Sequence, residues 1–136
     1  MLNQKYPERW FRHLISLPFI LMMIIPIIIL DVWTEIYHRI CFPLYGIPFV
    51  SRKKYIKIDR HKLSYLTWYQ KIGCAYCGYA NGGVAYIKEI AGRTEAYWCG
   101  IKHKKDRENY CEPEHHATFV EYNNMEEHKA KYSPEK

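Results

Sequence analysis

The chain lacks the patterns that mark several common enzyme classes. Gly78, Gly82 and Gly83 are not accompanied by the lysine and hydroxyl of a phosphate-binding loop. No serine lies in a nucleophile-elbow setting, and no internal repeat is present. The sequence therefore gives no support to a phosphate-loop nucleotide hydrolase, an elbow-type serine hydrolase or a repeat protein.

The number of cysteines is odd. Five cysteines fit poorly with a complete disulfide framework, and four of them follow residue 73, while Cys41 stands apart. In a reducing cytosol such a cluster holds metal, whereas in an oxidising compartment the same residues can form two bridges. The compartment thus decides between the two chemistries.

Charge is missing from residues 14–30, a run of 17 residues that contains no Asp, Glu, Lys or Arg. A run of this length is at the short end of what crosses a bilayer core. A secretory signal peptide is the rival interpretation, but no small-residue cleavage site follows the run. The segment is therefore predicted to insert into a membrane.

Two prolines complicate this segment. Pro18 and Pro26 each remove an amide donor, so a kink or break is expected, most of all near Pro26. One topology is a spanning helix, and the other is a re-entrant hairpin. Seven Lys or Arg residues between Arg39 and Lys62, against three before the run, place the C-terminal domain in the cytoplasm in the spanning topology. The hairpin returns both basic flanks to the same side.

Residues 31–44 have a helical period and complete an anchor region that covers residues 1–50. The apolar face carries Trp33, Ile36, Tyr37, Ile40, Cys41 and Leu44. The polar face carries Asp31, Thr34, Glu35, His38 and Arg39. This pattern predicts a helix at the membrane interface, or a continuation of the membrane helix into a protein partner, with His38 solvated and Cys41 packed.

Residues 51–61 form a basic juxtamembrane linker. The formal net charge of the chain is +6, and its tightest basic run follows directly on the apolar region. The nearest anion is then a lipid headgroup, and each basic residue near an anionic surface contributes on the order of 1 kcal/mol. Nucleic acid is a less favoured partner because no known nucleic-acid-binding pattern accompanies the run.

Residues 62–120 are predicted to form a small, mainly α-helical domain stabilised by metal. A helix beginning at His61 or Lys62 is expected to stop at Gly73, and a second from Val84 to Ala91 is expected to continue towards Cys99. Residues 121–136 are a polar tail, either a solvated helix or disordered.

The segment between the two predicted helices, Cys74-Ala75-Tyr76-Cys77-Gly78-Tyr79, is a CxxC pattern followed by glycine. Two thiolates that grip one ion must point inward from a tight turn, which glycine permits. The second half of the site comes from downstream residues, among them His115 and His116. The favoured ligand sets are Cys74, Cys77 and Cys99 with Cys111, or the same three with His103. Disulfides and a redox dithiol are the alternatives for the cysteines.

The CAYCGY segment resembles the metal knuckle of the rubredoxin family, over six residues of the 136. The resemblance implies Cys74 and Cys77 as iron ligands, with amide donors around Gly78 and Tyr79. The second rubredoxin knuckle is missing, since the chain offers only Cys99-Gly100 followed by His103. A zinc-ribbon site is an equal match, so zinc is the expected cofactor and iron the alternative. As a whole the chain resembles small bacterial membrane proteins.

The sequence indicates a location and a metal more clearly than a reaction. We expect an accessory protein that binds structural zinc and docks on a larger membrane protein assembly. The alternatives are a rubredoxin-like electron carrier or oxidoreductase subunit, and a membrane enzyme acting on a lipid-linked substrate. Such an enzyme needs an open metal position and a nearby carboxylate, for which Glu89, Glu95, Glu112 and Glu114 are candidates.

Overall fold

The computed structural model describes residues 9–105 and 110–133, and within them the protein is mainly α-helical, as predicted. The helices are α1 (Arg9–Met22), α2 (Ile24–Tyr45), α3 (Trp68–Trp98) and α4 (Met125–Tyr132). Short 3-10 turns cover Arg52–Lys54, Arg60–Lys62 and Glu114–Thr118. The described residues form no β-strand, only an isolated bridge between Ile101 and Val120.

The predicted break near Pro26 is confirmed, because α1 and α2 are separated at Met23. Proline has no amide hydrogen and clashes with the carbonyl four residues before it, here that of Met22. Met23 keeps right-handed helical angles, φ −64° and ψ −18°, so the chain does not reverse at this point. The helical stretch Phe11–Tyr45 is 35 residues long, its most apolar 18-residue window has a mean hydropathy of 2.6, and it is long and apolar enough to span a membrane.

The break leaves carbonyl groups at the end of α1 without intrahelical partners. The Tyr76 hydroxyl of α3 donates a 2.7 Å hydrogen bond to one of them, the carbonyl of Ile20. In an apolar medium an unsatisfied carbonyl is costly, so this bond compensates for part of the break. It also joins α3 to the apolar segment.

Helix α2 buries Asp31 and His38 of its polar face together with Phe42, and it exposes most of its apolar face. Asp31 and His38 are 5% and 3% exposed, whereas Trp33 and Leu44 are 66% and 76% exposed. The prediction that His38 is solvated is therefore wrong. The helical period was correctly identified, but a period alone does not say which face meets the rest of the protein.

Helix α3 is one continuous helix of 31 residues, and the predicted stop at Gly73 is wrong. The helix begins instead at a capping box, in which the Thr67 side chain accepts from the backbone of Gln70 and the Gln70 side chain accepts from the Thr67 amide. A glycine inside a helix costs only about 1 kcal/mol, which packing of α3 along α2 offsets. The continuation of the second predicted helix to Cys99 is confirmed, since Cys99 caps α3.

Two glycines on α3 allow the residue 51–61 segment to pack closely. A Cβ added at Gly78 would lie 2.9 Å from the Lys57 carbonyl oxygen, and one added at Gly82 would lie 2.6 Å from that of Tyr55. Both distances are shorter than the contacts that real Cβ atoms make. Only glycine at these two positions therefore lets the backbone of the segment lie directly against the helix. Part of the predicted basic linker is thus packed on α3.

The core is small and lies where α2, α3 and the segment after α2 meet. It contains Phe42, Val50, Tyr86 and Ile90. A separate group, His116, Phe119 and Val120, is buried near the C-terminal end of α3. The polar tail contains α4, capped by the Asn124 side chain on the Glu127 amide, which matches the solvated-helix alternative for residues 125–132.

Candidate metal centre

The structure does not gather the predicted cysteine ligands into one group. All five cysteines are free; Cys74 is buried on α3, while Cys77, Cys99 and Cys111 are exposed. Because Cys74 and Cys77 lie within a helix, the tight turn expected for a metal knuckle is absent at this position. Among the described residues, no cysteine belongs to a set of three potential ligand atoms within 4.8 Å of one another.

Three other side chains do bring their potential ligand atoms together. Glu95, near the end of α3, accepts from both histidines of the Glu114–Thr118 turn, and all three ligand atoms lie within 4.8 Å of one another. The distance from His115 Nε2 to Glu95 Oε2 is 2.8 Å, and that from His116 Nε2 to Glu95 Oε1 is 3.1 Å. We call this group the Glu95–His115–His116 triad.

The local sequence explains how the two histidines reach one carboxylate. Pro113 precedes the 3-10 turn in an extended conformation, which starts the turn directly before the histidines. His115 lies on Gly92, where an added Cβ would come within 3.0 Å of the imidazole ring. His116 stacks on Phe119 with ring centroids 4.6 Å apart and is 1% exposed.

The electrostatics of the triad favour an ionised carboxylate. The hydrogen bond from His115, followed by that from His116, holds the pKa of the Glu95 carboxyl below its usual range, against the opposing effect of burial. An ionised carboxylate only accepts, so each Nε2 carries the hydrogen in this arrangement. The Nδ1 of His116 is buried and has no hydrogen-bond partner, an unusual state for a buried polar atom.

Two imidazoles and one carboxylate are suitable ligands for a divalent transition metal. Zn²⁺ in catalytic sites takes three such protein ligands and keeps a fourth position open, and Fe²⁺ is held by the same ligand types in many oxygenases. Ligand atoms about 2.1 Å from a tetrahedral ion lie about 3.4 Å from each other. The observed separations of 2.8 and 3.1 Å are close to this value, so a small opening of the triad would accommodate the ion.

The triad lies between two grooves. A polar groove of about 610 Å³ reaches His115 and is lined by charged side chains that include Lys88, Glu89 and Arg93. A second groove of about 610 Å³ runs between α2 and α3 and reaches Glu95. The second groove is mainly apolar, and we call it the α2–α3 groove. The triad is thus accessible from two chemically different sides.

A second polar cluster lies between the membrane-proximal part of α2 and α3. Arg52 donates to both carboxylate oxygens of Asp31, at 2.5 and 2.6 Å, and the Tyr79 hydroxyl donates to the same carboxylate at 2.7 Å. Arg52 was expected to serve lipid headgroups, but its guanidinium neutralises a buried carboxylate instead. A buried charge needs such a partner.

The second cluster continues along α2. The Tyr86 hydroxyl donates to Glu35 at 2.8 Å and lies 3.0 Å from His38 Nδ1, while the Val50 amide donates to His38 Nε2. Because Nε2 accepts, the neutral ring carries its hydrogen on Nδ1 and donates to Tyr86. Burial, together with the bond to Glu35, raises the pKa of Tyr86 to about 12. This network is a fully bonded support, although its members Asp31, Glu35 and Arg52 also line a groove of about 520 Å³.

The sequence pointed to the residues of the triad, but not to those of the second cluster. His115 and His116 were considered as metal ligands, and Glu95 as a carboxylate near the metal, but the three were not combined. The Asp31–Arg52 pair was missed. The signal for it was the position of Asp31 as the first charge after an apolar run, where a charged side chain requires a partner.

No family model, curated protein or solved structure matches this chain. The chemistry of the site is therefore inferred from its own residues.

Proposed function

We propose that this is a membrane-anchored metal-binding protein whose ion is held by the Glu95–His115–His116 triad. The single observation that carries the metal site is the convergence of three ligand atoms within 4.8 Å at the end of α3. The membrane anchor is the helix Phe11–Tyr45, of which only 6% of the most apolar window is buried within the protein.

The inverted polarity of α2 supports the membrane anchor. In water, a helix packs its apolar face inward and leaves its polar face in solvent. In α2 the buried residues include Asp31 and His38, while Ile36 and Ile40 are 44% and 57% exposed. This arrangement suits a helix whose outer face meets lipid, and it does not suit the core helix of a water-soluble protein, which is buried.

The same helix is an integral part of the structure. Asp31, Glu35 and His38 of α2 bond to Arg52, Tyr86 and Val50 in later parts of the chain. Removal of the segment as a signal peptide would leave these partners unpaired. A retained spanning helix is therefore the better account, and the excess of basic residues after it favours a C-terminal domain in the cytoplasm.

The metal would have a structural consequence. The Glu114–Thr118 turn meets α3 through His115 and His116, and the local core around them is limited to a few side chains. An ion bound by all three residues ties this turn to the helix, and its binding free energy stabilises the folded domain. Zn²⁺ is the ion of choice and Fe²⁺ the alternative, in an accessory protein of a membrane assembly.

A metal-dependent enzyme acting on a lipid-linked substrate is a second candidate function. It is favoured by the count of three protein ligands, which leaves a position for water, and by the two grooves that reach the triad. Cobalt substitution separates the two functions. A change in the visible spectrum on addition of acetohydroxamate indicates an open position, and an unchanged spectrum indicates a closed structural site.

The metal site is tested by elemental analysis of the untagged, detergent-solubilised chain after dialysis against Zn²⁺. We expect about one zinc per chain for the wild type. Glu95→Gln should lose most of the zinc, and Glu89→Gln, a matched change two turns earlier on α3, should retain it. The double variant Cys74→Ser/Cys77→Ser should also retain it. Zinc lost only from the cysteine variant would contradict the proposal and favour the predicted cysteine set.

A further inference from the structure

The α2–α3 groove connects the membrane anchor with the metal triad. Its volume is about 610 Å³, and it begins at Leu30, the last residue of the charge-free run, and ends at Glu95 and Cys99. Its remaining lining residues are Trp33, Thr34, Tyr37, Ile87, Ile90, Ala91, Thr94 and Trp98. One end therefore adjoins the hydrocarbon layer and the other adjoins a charged site.

The floor of this groove presents hydrocarbon. The Tyr37 hydroxyl and Thr94 Oγ1 are 3.0 Å apart, and Thr94 also donates to the Ile90 carbonyl at 2.8 Å. These hydroxyls are thus satisfied within the protein and need no bond from a ligand. Trp33 and Trp98 stand at the two ends and are 66% and 67% exposed, which provides aromatic walls for an apolar occupant.

The length of the groove fits a single lipid chain. From Ile87 to Cys99 it follows α3 for about 18 Å, given a rise of about 1.5 Å per residue. One leaflet of the hydrocarbon core is about 15 Å thick, half of about 30 Å. A chain that leaves the bilayer beside Leu30 can therefore lie along the groove and bring its polar end to Glu95.

We propose that the α2–α3 groove binds one hydrocarbon chain of a membrane lipid, with the polar end of that lipid at the Glu95–His115–His116 triad. The inference rests on the membrane anchor of the proposed function and is independent of which metal the triad binds. A lipid is favoured over the helix of a partner protein because the groove is continuous with the lipid-facing surface of the anchor. The end of the groove at Glu95 also carries a charge.

The proposal is tested with the full chain in phosphatidylcholine vesicles whose acyl chains are dibrominated, since bromine quenches tryptophan fluorescence only at short range. Two single-tryptophan variants are compared, one retaining Trp33 and one retaining Trp98, with the other tryptophans changed to Phe. Trp33 reports on the anchor. Trp98 is 11 residues beyond Ile87 and reports on a chain inside the groove.

We expect brominated lipid to quench both Trp33 and Trp98. Ala91→Phe fills the groove and should restore most of the Trp98 fluorescence, whereas Ala85→Phe, which lies on the polar groove, should leave the quenching unchanged. Both alanines are exposed, so the larger side chain fits without repacking the core. Retained circular dichroism checks the fold of each variant.

The outcomes separate the two proposals. If Trp33 is not quenched, the membrane anchor is wrong. Quenching of Trp33 without Trp98 would overturn the lipid-binding groove while the anchor stands, and would leave a partner helix as its occupant. Quenching of Trp98 that persists in Ala91→Phe would also overturn it, because the tryptophan would then contact lipid outside the groove.

Discussion

Arg52 donates one hydrogen bond to each carboxylate oxygen of Asp31, at 2.5 and 2.6 Å, and so forms a bidentate pair across 21 residues of sequence. Asp31 is 5% exposed and directly follows the apolar run. The pair fixes the chain after α2 against Asp31 on α2. Together with the hydrogen bond from Tyr79, it compensates the charge of a buried carboxylate.

Arg52→Gln should destabilise the protein strongly. Loss of one partner leaves an uncompensated buried charge, which costs about 3–5 kcal/mol. The double variant Asp31→Asn/Arg52→Gln removes both charges and should recover much of this loss. Denaturant unfolding in detergent micelles measures both, and Lys53→Gln, a neighbouring basic residue, serves as the control. Equal stability of Arg52→Gln and Lys53→Gln would show that the pair has no energetic role.

Gly82→Ala should destabilise α3 against the segment 55–58. The new Cβ would lie 2.6 Å from the Tyr55 carbonyl oxygen and 2.8 Å from Ile56 Cα. Overpacking of this kind costs about 1–3 kcal/mol. Gly83→Ala is the matched control, since no atom lies within 4 Å of its Cβ. There, alanine should stabilise the helix by about 0.5–1 kcal/mol.

A change of the same sign in the stability of both variants would contradict this packing. The two glycines are adjacent on one helix, so helix propensity acts on them alike and only the neighbouring backbone differs. The difference in midpoint between the two unfolding curves therefore measures the contact with the segment 55–58.

The main elements of this fold were predictable from local patterns. The charge-free run, the break at Pro26, the helix of residues 31–44 and the helix that reaches Cys99 all follow from composition, proline chemistry and period. Gly73 was misjudged as a stop because a glycine weakens a helix only slightly. Tertiary packing decides such positions, and the CxxC pattern became part of α3 as a result.

Contacts between residues that are distant in sequence could not be predicted from local patterns. Nothing in the sequence between Glu95 and His115 indicates that they lie 2.8 Å apart, because they are 20 residues apart and belong to different elements. The inward polar face of α2 was missed for a related reason. A helical period separates two faces, but the medium around the helix determines which one is buried.

Tyr86→Phe should destabilise the protein at neutral pH. Removal of the hydroxyl leaves Glu35 Oε2 and His38 Nδ1 without this partner, while Arg39 still donates to Glu35 Oε1, and such a loss costs about 1–3 kcal/mol. Tyr55→Phe provides a comparison on a nearby ring of the core. Similar unfolding free energies for both variants would indicate that the hydroxyl of Tyr86 contributes little.

The Tyr86 hydroxyl should also make the free energy of unfolding depend on pH above neutrality. Burial raises the pKa of Tyr86 to about 12 in the folded state, against about 10 in an unfolded chain. The folded state therefore holds the proton more tightly, and this contribution is complete below pH ~10 and is lost as pH rises towards 12, by about 2–3 kcal/mol.

This dependence is measured as a difference. The free energy of unfolding of the wild type minus that of Tyr86→Phe should fall between pH ~10 and ~12, because titration of all other groups is shared. A difference that stays constant over this range would mean that Tyr86 titrates as an exposed tyrosine.

The most direct test of the central claim is X-ray absorption spectroscopy at the zinc edge of the zinc-loaded full chain. A metal at Glu95, His115 and His116 predicts a first shell of nitrogen and oxygen at about 2.0–2.1 Å, with the multiple scattering typical of imidazole and no sulfur. A first shell dominated by sulfur at about 2.3 Å would contradict the account and assign the ion to the cysteines.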